Sequence, residues 1–160
     1  MGRVFRLGDN IDTDQLAPGQ YMRGGIEALA AHCLEAIRPD FAESVRPGDV
    51  IVAGRNFGAG SSREQAAEAL KHLGLATVIA QSFAGIFYRN AINLGLPVLV
   101  VPDAGGISDG DACTLDLDAG TLTVGERSIA LEPIPENLQV LLADGGLVPH
   151  LKKRFAEARP

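Results

Sequence analysis

Three short aliphatic runs, separated by two helical patterns, constrain this chain more than any other feature. Val50-Ile51-Val52-Ala53, Ala76-Thr77-Val78-Ile79-Ala80 and Val98-Leu99-Val100-Val101 carry almost no polar side chain. A strand apolar on both sides must be covered on both sides, as in a parallel sheet lying between layers. Between the runs, residues 63–73 and Ser82 to about Asn93 place apolar side chains at helical spacing, as in Phe83, Ile86, Phe87 and Asn90. Gly74 stops the first helix as a C-cap, and Gly95-Leu96-Pro97 ends the second. Strand–helix–strand–helix–strand in this order implies parallel pairing through right-handed crossovers.

Residues 2–7 predict an earlier strand, followed by a polar, turn-rich segment, Gly8 to Gln15. Gln20 to Gly25 reads as a mobile loop with paired glycines. Ile26 to Ile37 has the period of a helix, with Leu29, Cys33 and Ile37 on one face. After residue 102 the pattern alternates over 114–118, 122–124 and 128–131, which predicts a small antiparallel meander. Pro133 and Pro135 open a helical stretch with Leu138, Leu141 and Leu142 inward, and an amphipathic segment, 147–158, closes the chain. The expected class is α/β, a mixed sheet with flanking helices, in one domain over 1–160.

The most chemically suggestive stretch is Asn56-Phe57-Gly58-Ala59-Gly60-Ser61-Ser62-Arg63-Glu64-Gln65, between the 50–53 strand and its helix. Glycines bring backbone close to a ligand, helix N–H groups attract an anion, and a guanidinium forks onto a carboxylate. The competing reading is plain helix capping: Ser61 with Glu64, or Ser62 with Gln65, fits a capping box. No Lys follows as in a phosphate-binding P-loop, and the glycine spacing is not that of a dinucleotide site.

The net charge of −6 and the absence of a basic stripe argue against nucleic acid as a partner. No apolar run of about 18 residues predicts a membrane span, and the first residues lack a signal-peptide core, so a cytoplasmic location is expected. Asp9, Asp12 and Asp14 do not follow the EF-hand pattern, and no metal site is expected. Cys33 and Cys113 stand 80 positions apart with no Cys-x-x-Cys, which excludes a disulfide framework and a self-sufficient iron–sulfur site. His32, His72 and His150 are scattered and read as surface or capping residues.

Three motifs in order resemble one family: Gly8-Asp9-Asn10-Ile11-Asp12-Thr13-Asp14, the Asn56–Gln65 run, and Val78 to Ala84 with Ile86 to Asn93. The resemblance is to the small subunits of aconitase-like hydro-lyases, 3-isopropylmalate dehydratase and homoaconitase, in their short archaeal-type form. It covers most of residues 1–101 and only the general character of the rest. It implies a swivelling β/β/α domain like the last domain of aconitase. It also implies a cluster-bearing large subunit as partner, in a heterodimer or heterotetramer. The substrate would be a small hydroxy di- or tricarboxylate, dehydrated and rehydrated through an alkene. On this resemblance no cofactor sits on this chain, and a [4Fe–4S] cluster on the partner acts as Lewis acid.

The family pattern makes Ser61 the general base, as an alkoxide, with Ser62 and Arg63 on a substrate carboxylate. It makes Tyr21-Met22-Arg23 the specificity loop. Arg23 there would pair with a distal carboxylate in homoaconitase-like members, whereas apolar residues face an isopropyl group in isopropylmalate enzymes. Met22 and Arg23 leave both open, as does the plain reading of Arg23 as a solvated loop residue. Asp12, Thr13 and Asp14 would orient the site loop by hydrogen bonding. Arg89 and Asn90 would support it from the following helix. Two positions depart from the pattern: Ala59 where many relatives have Cys, and Gly85 where many have Arg. A dimethylmalate-type dehydratase and a stand-alone carboxylate-binding domain remain as alternatives.

Overall fold

Each aliphatic run forms a strand in the parallel half of a seven-stranded mixed sheet, in a computed structural model that describes residues 1–159. The strands are β1 (Gly2–Arg6), β2 (Val50–Ala53), β3 (Thr77–Ala80), β4 (Val98–Val100), β5 (Ala112–Asp116), β6 (Thr121–Val124) and β7 (Arg127–Ala130). Their order is β4-β3-β2-β1-β5-β6-β7. The first four run parallel, with Val4 opposite Val50, Ile51 opposite Val78, and Val78 opposite Val98. β5 joins β1 antiparallel and leads the predicted meander.

All four residues of β2 and of β3 are buried, because both faces of the sheet are covered. On one side Phe5, Ile51, Val78 and Ala80 pack against helices α2 (Gly25–Ala31), α4 (Glu64–His72) and α5 (Gly85–Asn93). On the other, Val4, Val50, Val52 and Ile79 meet Leu99, Val101, Ile107, Leu122 and Ile134. Cys33 lies in the first core and Cys113 in the second.

Four details differ from the sequence expectation. The helix from Ile26 stops at Ala31, because Leu34 takes a left-handed φ of 61° and gives its N–H to the Gln15 carbonyl at 2.8 Å. Ile37 is consequently left exposed. Gln20 to Gly25 is not a featureless loop: Gly19–Gly24 is a 3-10 helix leading into α2. The helix expected from Ser82 begins at Gly85, because residues 82–84 pair with Phe57 instead.

Two very short helices complete the first half, α1 (Thr13–Leu16) and α3 (Phe41–Ser44). Asp12 caps α1 with Gln15 answering, so the polar turn-rich segment is a helix start. In the second half α6 (Glu136–Ala143) packs its leucines inward, while α7 (Leu147–Glu157) carries Val148, Leu151 and Phe155 outward.

Candidate active site

Strands β1, β2 and β3 run parallel, so the segments that follow them emerge at one edge. Ligand sites of open α/β sheets form in this position, outside the carboxyl ends of the strands. Here residues 8–17, 54–63 and 81–84 are stitched together by backbone. Gly58 N donates to Ile11 O at 2.7 Å, Thr13 N to Ala59 O at 2.8 Å, and Phe57 N to Ser82 O at 3.0 Å. Asp9 accepts from Arg55 N at 2.7 Å, and Ser82 Oγ accepts from Asn56 N at 2.8 Å. Asn10 and Asn56 both take left-handed φ, a conformation asparagine tolerates, and their side chains join at 3.0 Å.

Two glycines make the loop possible. Gly58 has φ +83°, and a Cβ there would lie 2.2 Å from the Phe87 ring. Gly60 has φ +107°, and a Cβ there would lie 3.0 Å from Thr13 Oγ1. Phe57 anchors the loop from beneath: it is fully buried, with its ring edge-on to Phe87 at 5.2 Å and to Phe83 at 6.0 Å.

The capping alternative for the serines is not what forms. α4 starts at Glu64, its N-cap is Arg63, and no side chain caps it. Ser61 turns instead to Thr13, whose buried hydroxyl accepts from Ser61 N at 3.1 Å and lies 3.2 Å from Ser61 Oγ. Ser62 is exposed and makes no side-chain hydrogen bond among the described residues. Arg63 reaches back across the loop: its Nη1 donates to Asp14 Oδ1 at 2.8 Å and to Ala17 O at 3.0 Å. Both bonds use one nitrogen, so Nη2 and Nε stay available.

The Arg63 guanidinium, and after it the Gly19 N–H, hold the Asp14 carboxyl below its ordinary range. A carboxylate with a lowered folded-state value stays paired at neutral pH, and the pair is lost only as the pH falls through that value. Thr13→Val should cost about 1 kcal/mol, since it removes the partner of the Ser61 amide but leaves that amide within reach of water. A urea titration reads the difference, and an unchanged midpoint would mean that the hydroxyl contributes nothing to the loop.

Of the residues singled out in the sequence, Asp12, Thr13, Asp14, Ser61, Ser62 and Arg63 come together at this edge. Tyr21 and Met22 are half-buried against the helix-side core, and Arg23 is exposed without a polar partner among the described residues. Arg89 and Asn90 lie on α5 and make no side-chain hydrogen bond to the loop residues. Gly85 opens α5 at the surface, with nothing within 4 Å of where a Cβ would stand. Asp9, Asn10, Asn56 and Phe57 were not marked as site residues by sequence reasoning. Two Asn at turn positions after strands were the available signal for the left-handed pair.

No group of three or more His, Cys, Asp or Glu among the described residues is placed to hold an ion. Burial pushes the Cys33 thiol far up, away from the thiolate a metal needs. No helix among the described residues is long and apolar enough to cross a membrane.

Comparison with known proteins gives concordant findings. Residues 35–104 match the model of the aconitase C-terminal domain. The methanogen homoaconitase small subunit of Methanothermobacter thermautotrophicus is 53% identical over 157 residues, covering 95% of this chain and 90% of that one. The 3-isopropylmalate dehydratase small subunit 1 of Thermotoga maritima is 49% identical, covering 95% and 94%. The crystal structure of 3-isopropylmalate dehydratase from Methanocaldococcus jannaschii superposes with a TM-score of 0.92 at 46% identity, covering 97% of this chain and 94% of that one.

Proposed function

Because the chain belongs to the small-subunit family of the aconitase-like hydro-lyases, we propose that it is the small subunit of a cytoplasmic 3-isopropylmalate dehydratase of leucine biosynthesis, completed by a cluster-bearing large subunit. The observation that carries the reading is the Ser61–Thr13 pair beside Arg63 at the sheet edge.

Dehydration of a hydroxy acid needs a base for the carbon-bound proton, a hold on the neighbouring carboxylate, and an acid for the departing hydroxyl. A [4Fe–4S] cluster on the partner would supply the last as a Lewis acid. This chain supplies the first two. Ser61 Oγ takes the proton. A serine hydroxyl is a weak acid in water, so its alkoxide must be stabilised by fixed donors. Thr13 accepts from Ser61 N, which leaves its own hydroxyl proton free to point at Ser61 Oγ. Arg63 adds positive charge two residues on. Its Nη2 and Nε offer a side-on fork to a carboxylate, while Asp14 and Ala17 hold Nη1 and fix the plane. The uncapped start of α4 and the Ser62 hydroxyl adjoin Arg63 in the chain and would add donors for the same anion. Ser61 is exposed here, so an alkoxide requires water to be excluded by the large subunit.

A second reading is favoured by one observation: Arg23 is exposed and has no polar partner among the described residues. A free guanidinium on the loop suits a substrate with a distal carboxylate, as in homoaconitase. The two readings separate when isopropylmalate, homocitrate, citramalate and dimethylmalate are assayed in parallel on the reconstituted complex. Preference for isopropylmalate, unchanged or sharpened in Arg23→Ala, supports the first. Preference for homocitrate that collapses in Arg23→Ala overturns it in favour of the second, since losing a charge-assisted contact costs roughly 10- to 100-fold in kcat/KM.

A further inference from the structure

We propose that His32 is a positioning residue for the Tyr21-Met22-Arg23 loop: its imidazole, stacked on the Tyr21 ring, latches the Gly19–Gly24 segment onto the end of α2. The functional half of this inference rests on the reading of that loop as the one that meets the distal end of the substrate.

The segment is bracketed by Pro18, with φ fixed near −58°, and Gly25, with φ +80°. Pro18 gives the strap a rigid entry, and Gly25 is the backbone position at which it can pivot. Its root is fixed by Asp14, whose carboxylate takes the Gly19 N–H as well as Arg63. Beyond that root, residues 20–24 make no side-chain hydrogen bond or ion pair among the described residues. The Tyr21 N–H donates to Pro18 O at 3.0 Å, at the strap's own start and not to the body. The directional contact between the strap and the body is therefore aromatic. Tyr21 and His32 lie ring on ring, with centroids 3.5 Å apart and planes inclined by 5°.

His32 is built to hold still. It directly follows the last residue of α2, and its N–H is bound to Leu29 O at 3.1 Å. Its Nδ1 is 2.6 Å from Glu35 Oε2, which fixes the ring's rotation. The chain after it is pinned by the Leu34 N–H on the Gln15 carbonyl, directly after the site helix residue Asp14. Asp14 thus fixes the near end of the strap and His32 its middle, and Arg23 follows Tyr21 by two residues. Arg23 makes no side-chain hydrogen bond or ion pair among the described residues, so its placement follows from the 3-10 helix that carries it. Release of the stack leaves the strap held at its root and by the packing of Tyr21 and Met22 against the helix-side core.

Two readouts test this on the full chain and on the complex with its large subunit. Trypsin cleaves after the exposed Arg23 only when the strap leaves the body, so the native-state cleavage rate at that bond, followed by mass spectrometry, reports opening directly. His32→Ala should raise that rate by about two- to tenfold, the worth of one stacked aromatic pair. His32→Phe, which keeps a ring, should restore it. Tyr21→Leu removes the stack from the other side and should match His32→Ala. In the complex, His32→Ala should raise KM by a similar factor with kcat within about twofold, because the ring acts on binding geometry and not on the proton transfer. Unchanged cleavage in both His32→Ala and Tyr21→Leu, or failure of His32→Phe to restore it, overturns the latch whatever the kinetics. Accelerated cleavage with KM and substrate preference unmoved in both His32→Ala and Arg23→Ala overturns the loop reading, and with it the functional half of the proposal.

Discussion

Ser61→Ala in the reconstituted complex lowers kcat by about 10²- to 10⁴-fold, the usual contribution of a positioned acid–base group, and leaves KM within a few-fold. The asymmetry follows from what surrounds the hydroxyl. On the proposed reading Arg63, Ser62 and the start of α4 still hold the substrate carboxylate, so ground-state binding survives. Thr13 Oγ1 keeps its bond to the residue 61 N–H, so the loop keeps its shape. Only the atom that takes the proton is gone. A plain carboxylate-binding domain would show the opposite profile, with Ser61→Ala silent and Arg63→Gln costly. Steady-state rates for the two variants, measured on one preparation of large subunit, distinguish these outcomes. Full activity in Ser61→Ala would remove Ser61 from the role of base.

Phe57→Ala is expected to destabilise the folded chain by about 3–5 kcal/mol, the range for truncating a fully buried aromatic ring. For a chain of this length each kcal/mol moves the midpoint by about 2–4 °C, so Tm should fall by roughly 6–20 °C. Phe57 sits under the loop, between Phe83 and Phe87, and its backbone joins the segments after β2 and β3. The variant therefore loosens the platform of Ser61 as well as the core. Activity at low temperature should fall along with stability, unlike in Ser61→Ala, where the thermal midpoint stays put. A Tm within 2 °C of the parent, about the effect of 1 kcal/mol or less, would show that Phe57 does not anchor the loop.

The central strands were legible because a residue type and its surroundings coincide there. Val50 to Ala53 has no polar face, and both of its faces are buried. The C-cap at Gly74, the meander and the inward leucines of α6 follow from equally local signals. The site was legible through its motif more than through its physics. On spacing alone Ser61 and Ser62 fit a helix cap as well as an anion site, and local sequence cannot decide between them. The decision is tertiary: Thr13, 48 positions away, claims Ser61, while Asp14 draws Arg63 back from α4. The same kind of long-range contact explains the misplaced helix ends. The Gln15 carbonyl captures the Leu34 N–H and bends the chain, and Asn56 and Phe57 engage Ser82 before α5 can start. The His32–Tyr21 stack joins a helix end to a strap 11 positions earlier, and neither residue has a local pattern that announces it.

On the proposed reading this chain carries the base and the carboxylate hold, and a separate chain carries the acid. Anaerobic co-expression with the large subunit, followed by ultraviolet detection of the alkene from isopropylmalate and homocitrate, tests it most directly. Neither purified chain should turn over alone, the two should form a complex, and the complex should form alkene from at least one of these hydroxy acids. A complex with an intact cluster and no turnover on either, or substrate binding by this chain alone with no complex formed, would contradict it.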